Sequence, residues 1–107
     1  MATIPQYVLE KNLTLQLSDA MREVSLDVRQ VGPLRTLAEG TEQSWKCSDE
    51  SGDLFSFTTC QVTANNALGL KAGTICLMVG PRARNDVSDA FQRFERTLAA
   101  LGAQRMQ

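Results

Sequence analysis

The alternation of apolar and polar positions is clearest in the middle of the chain. Trp45 and Phe57 lie at equal distances on either side of Ser51, and every residue from Asp49 to Asp53 is polar or glycine. This pattern predicts a β-hairpin with a five-residue loop, in which Trp45 faces Phe57 on the buried side of a sheet. Beyond the hairpin, the apolar parity shifts by one position over Thr58 to Cys60, which predicts a bulge.

The last third of the chain shows helical spacing instead. After Asn85 and Asp86, apolar side chains recur every three or four residues, and Gly102 follows the last of them. The stripe consists of Val87, Ala90, Phe91, Phe94, Leu98 and Leu101. Acidic residues at its start and a glycine beyond its end complete the pattern, so we predict an amphipathic helix of about sixteen residues.

The segment from Leu13 to Val31 fits two patterns, because its apolar residues match both helical spacing and the alternation of two strands. Ser18 and Asp19 are capping residues, and Gly32 with Pro33 is a helix stop. These end signals favour a helix from about Ser18 to Val31, preceded by a short extended piece.

The remaining segments complete the predicted fold. Leu34 to Glu39 is expected to form a first strand, and Ile4 to Leu9 a short helix or an arm. Thr74 to Val79 is apolar on both faces, which predicts a central strand covered by a second layer or by a second subunit. We therefore expect residues 1–107 to form a single α+β domain. It has an antiparallel sheet of about four strands, with an N-terminal-half helix and a C-terminal amphipathic helix packed on it.

The chain contains no histidine, which removes Ser-His and Cys-His catalysis and histidine metal sites. Its three cysteines, Cys47, Cys60 and Cys76, are separated by 13 and 16 residues, a spacing that matches no zinc or iron-sulfur site. In the predicted hairpin register Cys60 faces position 42, on the opposite side of the sheet from Cys47, so a disulfide is not implied. We expect no catalytic residues, metal or cofactor. We interpret the cysteines as packing residues, and Cys60 is the only one for which a reactive role stays open.

The charges are nearly balanced, with 11 basic and 12 acidic residues and a net charge of -1, which argues against nucleic acid as a partner. Acids predominate from Glu39 to Asp53, whereas arginines predominate from Gly80 to Gln107. No apolar run approaches the roughly 18 residues of a membrane span, and the N-terminus lacks the pattern of a signal peptide. We therefore expect a cytoplasmic protein of bacterial type.

The turn from Gly80 to Asn85 is the one local pattern with a ligand-binding rationale. Arg82 and Arg84 precede a helix N-terminus there, where N–H groups attract anions and arginine can bind phosphate or carboxylate through two parallel hydrogen bonds. The turn lacks the glycine spacing of a P-loop, and Asp86 and Asp89 oppose an anion. Anion or nucleic-acid binding at Arg82 and Arg84 is therefore the alternative hypothesis.

Spare apolar residues, with no catalytic or metal set, favour a protein that acts by binding another protein. The candidate contact residues are Tyr7, Leu68, Leu70, Arg93 and Arg96. We expect a homodimeric, non-enzymatic protein-binding regulator of the inhibitor, anti-activator or secretion-chaperone type, which acts through a sheet edge or a helix face.

Overall fold

One six-stranded antiparallel sheet and two helices make up residues 6–9, 13–67, 69–82 and 87–106, which the computed structural model describes. In chain order the elements are β1 (Gln6–Leu9), α1 (Leu13–Arg22), β2 (Asp27–Leu37), β3 (Gly40–Asp49), β4 (Gly52–Val62), β5 (Ile75–Arg82), α2 (Ser88–Ala100) and β6 (Gln104–Met106). Across the sheet the strands follow the order β2, β3, β4, β5, β1, β6, so that β2 and β6 are its edges. The expected sheet of about four strands is therefore wrong, and the protein is mostly sheet.

The additional strands come from the two ends of the chain and from the predicted first helix. The described part of Ile4 to Leu9 is β1, which pairs with β5 on one side and β6 on the other. β6 has only three residues, too few to show an alternation of their own. The predicted first strand, Leu34 to Glu39, supplies only the second half of β2.

The first helix ends at Arg22 rather than continuing to Val31, so its predicted position from Ser18 to Val31 is wrong. Ser18 is not its cap but lies inside it, and the hydroxyl donates to the carbonyl oxygen of Val28 at 3.3 Å. β-branched residues such as Val28 favour strands, and by forming a strand β2 pairs with β3 on both sides of a bulge. The alternation signal in this segment therefore outweighs the helical one.

A tight turn reverses the chain between α1 and β2. The N–H groups of Val24 and Leu26 both donate to the carbonyl oxygen of Met21, at 3.1 and 3.0 Å. Ser25, between them, has φ of 64°, a left-handed conformation that is costly for a residue with a Cβ. The two hydrogen bonds occupy the carbonyl oxygen of Met21 at the end of α1, and the turn places β2 against this helix.

The register of the central hairpin is confirmed, since Trp45 pairs with Phe57. Its loop is shorter than predicted, because Asp49 pairs with Gly52 and leaves a two-residue turn. The predicted bulge at Thr58 to Cys60 is wrong for the pairing of β4 with β3, which runs through these positions without a shift. The apolar parity shifts there because Thr59, a polar residue, faces the core.

The two faces of the sheet differ in what covers them. The inner face carries the side chains of Trp45, Phe55 and Phe57, and Phe94 of α2 packs on it with ring centroids 5.0 Å from Phe55 and 5.2 Å from Phe57. The opposite side, which we call the outer face, includes Met78 of β5, and that side chain is 45% exposed. β5 is a central strand as expected, but the described helices cover only its inner face.

Candidate protein-binding surfaces

The edge strand β2 carries most of the exposed apolar surface. It pairs with β3 on one side, and its other side is an edge of the sheet. Among the described residues, the large apolar side chains that stay exposed are Val31 (41%), Leu34 (63%), Leu37 (40%) and Met78 (45%). Three of these four lie within seven residues of β2, so the exposed large apolar side chains of the described residues are concentrated on this edge strand.

A bulge interrupts the ladder between β2 and β3 at the same place. Val31 pairs with Ser44, and pairing resumes with Arg35 opposite Glu42. Three residues of β2, from Gly32 to Leu34, therefore stand opposite a single residue of β3. Bulges of this kind bend an edge strand and redirect its side chains, and here Leu34 is the most exposed of the large apolar residues.

Gln43 is the single β3 residue opposite the bulge, and its side chain holds the bulge in place. Its amide nitrogen lies within hydrogen-bond distance of three carbonyl oxygens, those of Val31 at 3.4 Å, Gly32 at 3.2 Å and Ser44 at 3.0 Å. Gln43 is buried, at 8% exposure, so these contacts satisfy an amide that water does not reach. Gly32 has φ of 76°, which glycine adopts without steric cost.

Charged pairs flank the apolar part of β2. Arg29 lies 3.7 Å from a carboxylate oxygen of Asp53, and Arg35 lies 3.3 Å from one of Glu42. Exposed pairs of this kind contribute little stability, but they keep charges beside a strand edge that could otherwise aggregate. The edge therefore combines a protruding leucine with charged flanks.

Sequence reasoning did not single out Val31, Leu34, Leu37 or Gln43 as contact residues. The signal was present, since Gly32 and Pro33 follow the alternation of Val24, Leu26 and Val28. We interpreted that pair as a helix stop, whereas an interruption by glycine and proline also marks a bulge on an edge strand.

A second surface is the groove between α1 and α2, with a volume of about 560 Å³. It is lined by Ala20, Glu23, Val24, Arg93, Arg96, Thr97, Ala100 and Leu101. Two of the predicted contact residues, Arg93 and Arg96, thus lie on the same groove.

Arg93 is already engaged within the fold. Its Nη1 donates to the carbonyl oxygen of Val24 at 2.6 Å, and its Nε lies 3.2 Å from a carboxylate oxygen of Asp89 without hydrogen-bond geometry. The guanidinium group therefore ties α2 to the turn after α1. Arg96 is exposed, and its nearest hydrogen-bond partner is the carbonyl oxygen of Gln92 at 3.4 Å, so it is the freer of the two cations.

The other predicted contact residues are scattered. Tyr7 is buried in β1, where its hydroxyl donates to Glu95, and burial together with that carboxylate raises the pKa of the phenol. Leu70 is half-buried in the loop after β4, where its N–H donates to the side-chain oxygen of Asn66 at 2.9 Å. Leu68 lies outside the described residues. Tyr7 thus contacts α2 at Glu95 rather than at Arg93 or Arg96, and the partner contacts of Tyr7, Leu68 and Leu70 stay predictions.

The predicted anion turn is described only at its beginning. Arg82 is exposed, and its guanidinium carbon lies 5.8 Å from the ring centroid of Phe91, a distance suited to a cation–π contact. Arg84 lies outside the described residues, so anion binding at this turn stays a prediction.

The cysteines occupy two different environments. Cys47 is fully buried on the inner face, and burial, with smaller effects from Asp49 and Asp27, raises the pKa of its thiol to about 12. Cys60 and Cys76 are half-buried, and all three thiols are free. Across the described part of the chain, no group of three or more cysteine or carboxylate side chains is placed to hold a metal ion.

Comparison with known proteins gives no family for this chain. It matches no protein-family model, no curated protein and no solved structure at a significant level. Within the described ranges, no helix is long and apolar enough to cross a membrane.

Proposed function

We propose that this protein is a small, non-enzymatic, cytoplasmic regulator of bacterial type that binds another protein through the β2 edge. An inhibitor, an anti-activator or a secretion chaperone acts in this way. The observation that carries the proposal is the coincidence of a strand edge with three of the four large apolar side chains that are exposed among the described residues. Exposed apolar groups gathered at one place mark interaction sites, whereas scattered ones do not.

The bulge determines how a partner binds this edge. Pro33 has no N–H group, so a partner strand cannot continue its hydrogen-bonded ladder through that position. The proposed contact therefore has two parts. Backbone pairing runs along β2 from Arg29 to Val31, beyond the Val28 carbonyl that accepts from Ser18, and the side chain of Leu34 inserts into an apolar pocket of the partner.

Replacing the exposed leucine tests this proposal directly. A pull-down with the wild-type chain identifies a partner, and its affinity is then measured for Leu34→Ser and for Met78→Ser. Met78 is the matched control, because it is a similarly exposed apolar residue on the outer face rather than on β2. Losing a buried leucine side chain costs about 1.5 kcal/mol or more, so we expect Leu34→Ser to weaken binding about tenfold.

The two variants also define the results that would contradict the proposal. An unchanged affinity of Leu34→Ser, or an equal loss in both variants, would show that the partner does not use the β2 edge. Fluorescence of Trp45, the single tryptophan, confirms that each variant is folded. The mass from sedimentation, with and without the partner, tests the proposed homodimer.

A further inference from the structure

Cys60 of β4 and Cys76 of β5 lie directly opposite each other in the antiparallel sheet. The adjacent pair, Thr59 and Leu77, is buried on the inner face, so the two cysteines project from the outer face. Cys47 is fully buried on the inner face. The fold therefore brings two of the three thiols together and separates the third from them.

The spacing of this pair suits a covalent bond. Directly opposed residues of antiparallel strands have Cα atoms about 4.5 to 5.5 Å apart. Disulfides span Cα separations of about 4.4 to 6.8 Å. A pair in this register therefore falls within the range of Cα separations that a disulfide spans.

The disulfide requires a change of rotamer at Cys60. The Sγ atom of Cys60 now lies on the β3 side, 3.0 Å from where a Cβ would stand at Gly40. Rotation about χ1 to another staggered rotamer turns the thiol of Cys60 away from Gly40 and toward β5. On its other side Cys76 pairs with Val8, which offers no competing reactive group.

We propose that Cys60 and Cys76 form a reversible cross-strand disulfide by exchange with a small-molecule disulfide such as oxidised glutathione. One protein thiol loses its proton and attacks the small disulfide, which forms a mixed disulfide and releases one thiol. The second protein thiol then loses its proton, attacks the protein sulfur of the mixed disulfide and releases the second thiol. The two cysteines are oxidised by two electrons in total, and the oxidised small molecule is reduced to two thiols.

The surroundings of the two thiols make the rate of this exchange depend on pH. Burial raises the pKa of the Cys60 thiol, and the carboxylates of Glu42 and Glu39 raise it further. Burial raises the pKa of Cys76 as well, and a charge on Cys60 opposes a charge on Cys76. Because the thiolate is the attacking form, exchange is slow at neutral pH and accelerates as the pH rises. Transient disulfides of this kind are the form expected in a reducing cytoplasm.

Oxidation of the folded protein tests the proposal. The wild-type chain is incubated with oxidised glutathione at pH 8 to 9 and quenched with acid, and its remaining thiols are alkylated after unfolding. We expect the intact protein to lose the mass of two hydrogen atoms and to contain one free thiol. Peptide mapping should then join the peptides of Cys60 and Cys76, and a reductant should reverse the change.

Three variants complete the test. Cys47→Ala should form the same disulfide, whereas Cys60→Ser and Cys76→Ser should each keep a bound glutathione on the remaining outer-face cysteine. Trp45 fluorescence and far-UV circular dichroism confirm folding. A disulfide that involves Cys47, a disulfide between two chains as the main product, or stable glutathione adducts on both outer-face cysteines of the wild type would each overturn the proposal.

Discussion

A buried hydrogen bond between Trp45 and Thr59 allows the sharpest test of the fold. The indole Nε1 donates to the threonine hydroxyl at 2.8 Å, and both residues are buried, at 7% and 5% exposure. Thr59→Val keeps the shape of the side chain but removes the acceptor. The indole N–H is then buried without a partner, which costs about 1 to 3 kcal/mol.

The size of this effect is readily measured. A loss of about 2 kcal/mol reduces the ratio of folded to unfolded protein roughly 30-fold, and it lowers the melting temperature of a domain of this size by about 10 °C. Urea unfolding followed by fluorescence measures the loss directly, because Trp45 is the only tryptophan in the chain. Thr59→Ser, which keeps the hydroxyl, is the matched control and should cost less.

A double-mutant cycle isolates the hydrogen bond from other effects of the substitution. In a Trp45→Phe background there is no indole N–H to leave unpaired, so Thr59→Val should be nearly neutral there. Circular dichroism replaces fluorescence for these two proteins. If Thr59→Val costs the same in both backgrounds, or less than about 0.5 kcal/mol in the wild type, the reasoning from the buried donor is refuted.

Three further changes test other parts of the fold. Gly40→Ala should destabilise the protein by about 1 to 3 kcal/mol in urea unfolding, because the new Cβ collides with the carbonyl oxygen of Gln61; an unchanged midpoint would contradict that close approach. Ser25→Gly should raise stability by about 1 kcal/mol, because glycine relieves the left-handed backbone, and Ser25→Ala should give no gain. Between pH 9.0 and about 12 the unfolded Cys47 thiol ionises while the folded one stays protonated, so stability should fall there by at most about 1.4 kcal/mol per pH unit. Cys47→Ala should show a shallower fall over the same range, and an equal fall would argue against a perturbed thiol.

The parts of the fold that the sequence predicted are those specified by local patterns. The register of Trp45 opposite Phe57 follows from aromatic side chains placed symmetrically about a polar turn, and the structure confirms it. The stripe of the last helix was also right, with Phe94 and Leu98 fully buried. In both cases the information lies within about fifteen consecutive residues.

The errors arose where pairing with another strand decides the structure. The residues from Ser18 to Val31 carry both a helical and a strand pattern, and pairing with β3 selects the strand for Val28 and Val31. β1 and β6 are short and exist because β5 offers an edge to β1 and β1 offers one to β6. A single sequence does not show the pairing of β1 with β5 and β6, because most of the chain separates β1 from these two strands.

The same distinction applies to the candidate site. Arg93 and Arg96 line one groove, because helical spacing fixes which residues share a face, and their role in binding stays a prediction. The opposition of Cys60 to Cys76 depends on the β4–β5 register, across a connection of twelve residues from Thr63 to Thr74. In the sequence Leu34 has the features of an ordinary strand residue, whereas in the structure the bulge that begins at Gly32 places it outside the β2–β3 ladder.

Polar groups on the inner face are already bonded within the fold, whereas large apolar side chains of the β2 edge are exposed. This difference indicates where a partner should bind. On the inner face, the hydroxyl of Thr59 accepts a hydrogen bond from Trp45. On α2, the guanidinium group of Arg93 donates to the carbonyl oxygen of Val24 and forms an ion pair with Asp89. A binding site built there would first have to break these contacts. Beyond Val28, whose carbonyl accepts from Ser18, the β2 edge requires no such exchange, because Gln43 contacts the carbonyl groups of the bulge and the side chain of Leu34 stays exposed. A partner that binds at Leu34 therefore breaks fewer internal contacts than one that binds on the inner face.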